Sequence, residues 1–227
     1  MKIIVMYDWD GTLVDTMPAH AALAAKCIKQ TFGLPYAEAK EKYLESTGVP
    51  FDLQLEKIFP LAESALKKQC ADRYHREKMF LVYGDPVTFP GAFGTIKETA
   101  NVFPSAIQVV SSSTEEPCIK DWARKNKLSR YFYYILGRES GNKQQHIQKL
   151  RQEFPRSVIF FISDSAEDMA LPADCCVGVQ ASKENFQKFL NRGGYSVFSE
   201  PINFENIWET IKEYLSFSEK YIKATKK

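Results

Sequence analysis

Short continuous apolar runs recur along the chain, and each ends in polar residues or a turn signal. Residues 3–7 read Ile-Ile-Val-Met-Tyr and stop at Asp8, while residues 158–162 read Val-Ile-Phe-Phe-Ile and stop at Ser163. Runs of this length without alternation are typical of parallel strands that are covered on both faces. Further strands are predicted at residues 106–110, 133–136, 175–179 and 195–198.

Segments with apolar positions at helical spacing lie between these runs. They cover residues 115–127, 143–153 and 183–190. We expect Ser113 or Thr114 to cap the first of these helices, because acidic residues follow in its first turn. The alternation of strand and helix from about residue 90 onward predicts right-handed βαβ units. The predicted fold class is therefore α/β, with a Rossmann-like parallel-sheet core and helices on both faces.

One long segment interrupts this alternation. Helical patterns separated by Gly and Pro follow one another there without a strand, at residues 17–31, 36–46 and 61–79. We therefore predict an inserted all-helical domain, residues 17–88, within a core made of residues 1–16 and 89–227. The expected hinges are residues 14–18 and 84–91.

Composition and charge exclude several classes of protein. The chain has 227 residues, of which 44% are hydrophobic and 26% are charged, as in folded globular proteins. Thirty Lys and Arg against 28 Asp and Glu give a formal charge of +2, so no general field attracts nucleic acid or an anionic membrane. No apolar segment approaches the ~18 residues that span a bilayer. We therefore expect the protein to bind neither nucleic acid nor a membrane, and to be a monomer or a weak homodimer.

The cysteines favour a reducing compartment. They are Cys27, Cys70, Cys118, Cys175 and Cys176. Their odd number and the lack of a CxxC pair indicate neither a disulfide framework nor a zinc site. The apolar run at residues 3–7 is shorter than the ~7–15-residue core of a signal peptide. We therefore expect a cytoplasmic protein with reduced, mostly buried thiols.

Polar groups follow three predicted strands at the end where open parallel sheets bind ligands. These groups are Asp8 and Asp10, Ser111 and Ser112, and Asp164 and Asp168. If the strands share one sheet, Asp8, Asp10 and Asp164 form an anionic pocket of oxygen ligands, which suits a hard cation such as Mg²⁺. Lys143, which begins a helix, and the Ser111 hydroxyl add donors for a phosphoryl group.

Each part also has another explanation when it is considered alone. The Asp8-Trp9-Asp10-Gly11 run is compatible with a turn or with the metal-binding pair of a glycosyltransferase, and the three serines with a helix cap. Lys143 is compatible with a surface lysine, and Asp164 with a cap followed by a first-turn acid. The occurrence of all of them at strand ends, in this order, favours a common site.

The motifs closely resemble those of the haloacid dehalogenase-like superfamily, in the branch of phosphoglycolate phosphatases and β-phosphoglucomutases. Residues 8–16, Asp-Trp-Asp-Gly-Thr-Leu-Val-Asp-Thr, resemble its first motif. The strand ending in Ser111 resembles the second motif, Lys143 the third, and residues 164–168, Asp-Ser-Ala-Glu-Asp, the fourth. Many members follow the third-motif lysine with Pro, whereas Gln144 follows here, so Lys149 is a less favoured substitute. The helical insert falls where this branch carries its cap.

The resemblance implies a Mg²⁺-dependent phosphatase that acts on a small phosphorylated metabolite through an aspartyl-phosphate intermediate. It makes Asp8 the nucleophile and Asp10 the general acid and base. Thr12 steadies the loop that carries Asp10. Mg²⁺ is held by Asp8, Asp164 and the Asp10 carbonyl, with Asp168 as a further ligand or just outside the ligand set.

The same resemblance assigns the groups that bind phosphate. Ser111, Ser112 and Lys143 hold the phosphoryl oxygens, and backbone N–H groups near Trp9 and Ser112 add donors. Specificity is expected to come from cap residues that face the core. The candidates in the cap are Phe51, Leu53, Gln54 and Lys57.

Other activities stay open at this point. Dehalogenases of the superfamily typically lack the second aspartate and the metal cluster, whereas Asp10 and Asp164 are present here. A sugar-phosphate mutase of the β-phosphoglucomutase type keeps all four motifs, and His20 resembles a histidine of that branch, although a partly buried helix histidine is also plausible. That branch carries Arg after Gly-Val-Ser, where residues 48–51 read Gly-Val-Pro-Phe.

Two alternatives belong to other classes. A signalling receiver domain also uses a phosphorylated Asp, a hydroxyl residue and a Lys on a parallel sheet, but it is shorter and has no helical insert. A non-catalytic relative of the enzyme is expected to lose Asp8 or Asp10.

Overall fold

The computed structural model describes residues 2–46 and 50–225. The described strands form one six-stranded sheet in the order β3-β2-β1-β4-β5-β6, and every pairing is parallel. They are β1 (Lys2–Tyr7), β2 (Ile107–Ser111), β3 (Tyr134–Leu136), β4 (Ser157–Ser163), β5 (Cys175–Gly178) and β6 (Gly194–Val197). The predicted α/β fold with a Rossmann-like parallel sheet is confirmed.

The described helices are α1 (Met17–Phe32), α2 (Tyr36–Glu45), α3 (Phe51–Ile58), α4 (Ser64–Leu81), α5 (Pro90–Val102), α6 (Glu116–Lys125), α7 (Lys143–Glu153), α8 (Phe186–Asn191) and α9 (Phe204–Thr225). Helices cover both faces of the sheet. Ile147 of α7 packs with Phe161 on one face, and Tyr214 of α9 contacts the ring of Phe160 on the other, with centroids 5.4 Å apart. Because neighbouring residues of a strand point to opposite faces, a strand covered on both sides is apolar throughout.

The chain divides into two compact units, residues 1–15 with 88–227 and residues 16–87. The first contains the sheet and the second contains α1 to α4. In the second unit α1 packs against α2 and α4, and Lys26 of α1 forms a 2.9 Å ion pair with Glu77 of α4. In the first unit Val14 forms an isolated antiparallel bridge with Thr88.

Several predicted boundaries are wrong. The cap of α6 is Glu115, with no side-chain hydrogen bond and with Pro in the first turn, so the prediction of a cap at Ser113 or Thr114 fails. Pro90 begins α5, because a proline at the first helical position loses no hydrogen bond. Residues 90 and 91 of the predicted hinge at 84–91 are therefore helical. The helices α3 and α9 were not predicted, and α8 is shorter than expected. The sequence departs from the mutase pattern at Pro50, which precedes α3, and at Phe51, which begins it. Gly48 and Val49 lie outside the described residues.

Strand register places the site residues at one edge. Tyr7 pairs with Val110 in β2 and with Ile162 in β4. The residues that follow, Asp8 and Ser111, therefore lie at the same level, at the carboxyl ends of adjacent strands. The chain passes from β1 to β2 on one side and from β4 to β5 on the other. This change of direction between neighbouring strands makes the edge the ligand-binding crevice of a doubly wound sheet.

Candidate active site

Asp8 lies directly after β1 and is buried. Its backbone N–H donates to the Ile162 carbonyl at 2.9 Å, which extends the pairing of β1 with β4 by one residue. Its Oδ1 accepts a hydrogen bond from the Trp9 N–H at 2.8 Å, and its Oδ2 lies 3.1 Å from Nζ of Lys143. The strand end thus holds one carboxyl oxygen and directs the other towards an ammonium group.

The surroundings of Asp8 disfavour its ionised form. Burial raises the pKa of Asp8 to about 8, the charge of Lys143 lowers it, and the charges of Asp168, Asp164 and Asp10 raise it. Burial also raises the pKa of Asp164 to about 6, against the opposing charge of the same lysine. Four carboxyl groups therefore interact with the single ammonium group of Lys143. A further cation would strongly favour the ionised forms of these carboxyl groups.

Lys143 connects two of the acidic residues. Its Nζ donates to Oδ2 of Asp168 at 2.5 Å and faces Asp8. Burial lowers the pKa of Lys143, but Asp8 and Asp168 raise it more, so the pKa lies above its ordinary value and the ammonium form is retained. Ser163 at the end of β4 also donates to Asp168 Oδ2, at 2.6 Å. The predicted alternative, Lys149, lies elsewhere, with its Nζ 4.4 Å from the centre of the Tyr134 ring.

The loop after Asp8 packs closely against Asp164. Gly11 has a φ of 73°, and a Cβ there would lie 2.1 Å from Asp164 Oδ2, so only glycine fits this turn. Thr12 donates to Asp164 Oδ1 at 3.1 Å and accepts from the Asp164 N–H at 3.0 Å. The Gln180 side chain donates to the Gly11 carbonyl. Thr12 thus links the first and fourth motifs.

Asp10 is held from the segment that follows β2. The Thr114 hydroxyl donates to Asp10 Oδ2 at 2.5 Å, and the Thr114 N–H donates to the Ser112 side chain at 3.0 Å. Ser112 therefore orders this segment internally. Its own N–H donates to the Leu136 carbonyl at 3.0 Å, and the Trp9 N–H donates to the Asp8 carboxylate. The phosphate donors were expected among the backbone N–H groups near these two residues, and this stays a prediction.

Ser111, the last residue of β2, contacts a histidine that was not predicted to belong to the site. Its Oγ lies 2.8 Å from Nδ1 of His146, and both residues are buried. His146 follows Lys143 by one helical turn on α7, so the helix directs both side chains towards the sheet.

The donor set fits a magnesium ion. Among the described residues, no three acidic, histidine or cysteine side chains are grouped to hold a metal. The expected ligands are the Asp8 and Asp164 side chains and the Asp10 backbone carbonyl, with Asp168 as a further ligand or just outside the set. In the structure Asp168 Oδ2 accepts from Lys143 and from Ser163. Two carboxylates and a backbone carbonyl are not a group of three such side chains, so this finding and the three-ligand expectation are compatible. All three donors are hard oxygens, which Mg²⁺ prefers. Asp164 also fills the space beside Gly11, which holds it against the loop that carries Asp10.

The remaining predicted residues belong to the helical unit. His20 is buried, with Nδ1 2.6 Å from the Tyr74 hydroxyl and Nε2 3.2 Å from the Tyr83 hydroxyl. On α3, Phe51 and Gln54 are buried, whereas Leu53 and Lys57 are exposed. The structure thus gives His20 hydrogen-bonding partners within its own unit. No helix in the described part of the chain combines the length and apolar character that a membrane span needs.

Comparison with known families decides the assignment. Residues 5–174 match a family model described as haloacid dehalogenase-like hydrolase. The chain belongs to this family. The predicted superfamily is therefore confirmed, and the protein is an enzyme of the haloacid dehalogenase-like hydrolases. Among curated proteins, no sequence matches this chain.

Solved structures share the fold of this haloacid dehalogenase-like hydrolase. A predicted phosphatase from Clostridium acetobutylicum is 17% identical with a TM-score of 0.73, over 95% of this chain and 99% of its own. A predicted phosphoglycolate phosphatase from Haemophilus somnus is 16% identical with a TM-score of 0.71, over 92% and 97%. A protein designated a β-phosphoglucomutase from Thermotoga maritima is 19% identical with a TM-score of 0.64, over 94% and 99%.

The sequence did not predict that three residues of this haloacid dehalogenase-like hydrolase contact the site: Thr114, His146 and Gln180. Thr114 was predicted only as a helix cap, and no role was predicted for His146 or Gln180. Gln180 has a left-handed φ of 55°, a conformation that costs about 1 kcal/mol or more in a non-glycine residue. No local pattern in the sequence marks that strain.

Proposed function

We propose that this hydrolase is a Mg²⁺-dependent phosphatase that releases phosphate from a small phosphorylated metabolite. The observation that carries the proposal is the buried Asp8 carboxylate, with Oδ2 3.1 Å from the Lys143 ammonium group, at the carboxyl edge of the sheet. Phosphoryl transfer to an aspartate needs a carboxylate nucleophile beside positive charge that stabilises the transferred group.

The first step transfers the phosphoryl group to Asp8. Its carboxylate oxygen attacks phosphorus, the bond from phosphorus to the leaving oxygen breaks, and Asp10 gives that oxygen a proton. Lys143 and the Ser111 hydroxyl hydrogen-bond to the phosphoryl oxygens. The Thr114 hydroxyl, 2.5 Å from Asp10 Oδ2, keeps this side chain in one orientation during the transfer.

The second step releases phosphate. Asp10, now ionised, accepts a proton from water, the water oxygen attacks phosphorus, and the bond to Asp8 breaks to restore its carboxylate. Asp8, Asp164 and the Asp10 carbonyl are the residues that would hold Mg²⁺. When bound, the ion neutralises the repulsion between the carboxylates and the phosphoryl group.

Support for the substrate class comes from the relatives. The proteins from C. acetobutylicum and H. somnus that share the fold are described as predicted phosphatases, which agrees with hydrolysis as the outcome. The helical unit is then the cap, with α3 as the candidate specificity element. The T. maritima protein leaves a sugar-phosphate mutase as the alternative, which would convert one sugar phosphate into another without net release of phosphate.

Trapping of the intermediate tests the mechanism. In Asp8→Asn the attacking anion is missing, so turnover of p-nitrophenyl phosphate with Mg²⁺ should be abolished. Asp10→Asn keeps the nucleophile and loses the acid and base, which typically costs ~10²–10⁴-fold. After incubation with ³²P-labelled substrate and acid quench, Asp10→Asn should carry label on Asp8, and Asp8→Asn should carry none.

The matched control is Asp72→Asn, because Asp72 is exposed on α4 and belongs to none of the four motifs. It should keep normal turnover. Label on Ser111, or near-normal turnover of Asp8→Asn, would contradict the proposed mechanism. Isomerisation of a sugar phosphate without phosphate release would favour the mutase.

A further inference from the structure

His146 is a buried polar residue that contacts Ser111 and has no role in the proposed reaction. Neither it nor Ser111 exposes any surface, and the 2.8 Å separation of Nδ1 and Oγ is that of a good hydrogen bond. Ser111 ends β2, and His146 lies one helical turn after Lys143 on α7. The contact therefore joins two elements that each supply a phosphate-binding group.

The direction of this hydrogen bond decides what Ser111 can do. A serine hydroxyl has one hydrogen to donate. If Nδ1 carries no proton, Ser111 donates to it, and Oγ presents only lone pairs to a phosphoryl oxygen. If Nδ1 carries a proton, it donates to Oγ, and the hydroxyl hydrogen is available for the phosphoryl oxygen.

We propose that His146 is a positioning residue that donates its Nδ1–H to Ser111 when a phosphoryl group is bound, and so directs the Ser111 hydroxyl hydrogen to a phosphoryl oxygen. The inference rests on the proposed function, in which Ser111 binds that oxygen. The imidazole supplies the donor as the neutral ring protonated on Nδ1 or as the imidazolium. No covalent bond to the substrate is formed or broken by His146.

The groups around His146 have opposing effects on its pKa. Burial lowers the pKa of His146, the Gly137 carbonyl and the Glu116 carboxylate raise it, and Lys149 and Lys143 lower it. The net pKa lies below the ordinary value, so the ring is mainly neutral at pH 7. The position of its single proton then sets the orientation of Ser111, and an anionic phosphoryl group favours the form that points a donor at it.

A double-mutant cycle tests whether His146 acts through Ser111. With p-nitrophenyl phosphate and Mg²⁺, His146→Leu should lower kcat/KM about tenfold, which corresponds to one oriented hydrogen bond. In the Ser111→Ala background the same substitution should change kcat/KM by less than about twofold, because its partner is already gone. An equal loss in both backgrounds would overturn the proposal, since it would show a merely structural role.

A second variant covers the case in which His146→Leu fails to fold. In His146→Asn a side-chain amide N–H can replace the Nδ1–H, so this variant should retain at least a third of the wild-type kcat/KM. A His146→Asn protein that folds but loses activity as fully as Ser111→Ala would contradict the proposal. Ser113→Ala is the matched control, because Ser113 is exposed in the same segment, and it should leave kcat/KM unchanged.

The protonated nitrogen can be observed directly in the full-length protein. The chain has three histidines, so ¹⁵N-histidine labelling gives a simple spectrum. Saturation with inorganic phosphate and Mg²⁺ should move the His146 signals to those of a ring protonated on Nδ1, and Ser111→Ala should prevent this change. His75, which is exposed and bonded to Asp52, serves as the unaffected reference.

The two measurements separate this inference from the proposed function. Phosphate that binds while Nδ1 stays unprotonated would contradict the positioning role of His146 and leave the phosphatase assignment intact. The expected shift of the ring signals in a protein that fails to hydrolyse any phosphomonoester would contradict the phosphatase assignment alone.

Discussion

Lys143 belongs to the site because of where α7 begins. The sequence left Lys149 as an alternative, since the proline that often follows the third-motif lysine is replaced by Gln144. In the structure Lys143 contacts Asp8 and Asp168 at 3.1 and 2.5 Å, whereas Lys149 covers the Tyr134 ring. Six residues along a helix correspond to about 1.7 turns, so the two lysines point in different directions.

We expect Lys143→Met to lower kcat/KM at least 10²-fold, and Lys149→Met to change it by less than twofold. Loss of Lys143 removes the positive charge that stabilises the transferred phosphoryl group. Removal of one such stabilising group typically lowers kcat ~10²–10³-fold. The same substitution also removes the attraction that opposes the raised pKa of Asp8. Steady-state hydrolysis of p-nitrophenyl phosphate measures both variants, and equal losses would show that the assignment of the third motif is wrong.

Residues of the site that come from chain segments far apart were the least predictable. Thr114 donates to Asp10 across 104 positions of the sequence, and Gln180 donates to Gly11 across 169. Thr114 lies three residues after the second motif but was predicted only as a helix cap, and Gln180 has no motif beside it. By contrast, Asp8 and Asp10 follow a strand directly, so their position at the sheet edge could be inferred from the apolar run alone.

Among the elements, strands were easier to predict than helices. Each of the six described strands overlaps a predicted one. The central strands β1 and β4 are the clearest, because a strand buried on both faces is apolar at nearly every position, whereas the edge strand β6 is only partly buried. The helix α5 was missed since Pro90 and Gly91 indicated a hinge, although proline is common at the first helical position. The helix α9 was also missed, even though Ile207 and Ile211 are buried four residues apart, which is helical spacing.

The helix α7 depends on its amino-terminal cap. Asn142 accepts from the Gln145 N–H at 2.9 Å, and the Gln145 side chain accepts from the Asn142 N–H at 2.8 Å. This reciprocal pair satisfies two N–H groups of the first turn. Lys143 is the first residue of the helix, so the cap also fixes the residue that faces Asp8.

We expect Asn142→Ala to lower the free energy of unfolding by about 1 kcal/mol and to lower kcat/KM several-fold, because fraying of the first turn releases Lys143. Chemical unfolding and p-nitrophenyl phosphate kinetics measure the two effects. Gln152→Ala is the control, since Gln152 is exposed in the last turn of the same helix and should change neither quantity. If Asn142→Ala is destabilised but has normal kinetics, the cap stabilises the helix without fixing the position of Lys143.

At the scale of the whole molecule, the break in the strand–helix alternation was the informative signal. It led to a predicted insert at residues 17–88, and the described structure separates a helical unit at 16–87. The sequence does not show how much the acidic groups of the site lower the free energy of unfolding. Four acidic groups interact with one another in a buried region, and burial holds the pKa of Asp8 near 8. The proposed active site is thus a cluster of acidic groups that lowers the stability of the fold.

The raised pKa of Asp8 leads to a test of stability that is independent of turnover. The unfolded-state pKa of an aspartate is about 3.9, so between pH ~4 and ~8 folded Asp8 retains a proton that the unfolded chain has lost. Stability therefore falls as pH rises through this window, by at most about 1.4 kcal/mol per pH unit for one group. Asp8→Asn does not titrate and should not suffer this loss.

We accordingly expect Asp8→Asn, although inactive, to unfold at a higher temperature than the wild type in EDTA at pH 7.5, with a difference that shrinks towards pH 4.5. Mg²⁺ should reverse the order, because it binds the folded wild type more tightly than the variant and stabilises it by mass action. Thermal unfolding at several pH values, with and without Mg²⁺, measures both effects, with Asp72→Asn as the control. A lower midpoint for Asp8→Asn in EDTA at pH 7.5 would mean that the ion pair with Lys143 outweighs burial, and that Asp8 is ionised before any cation binds.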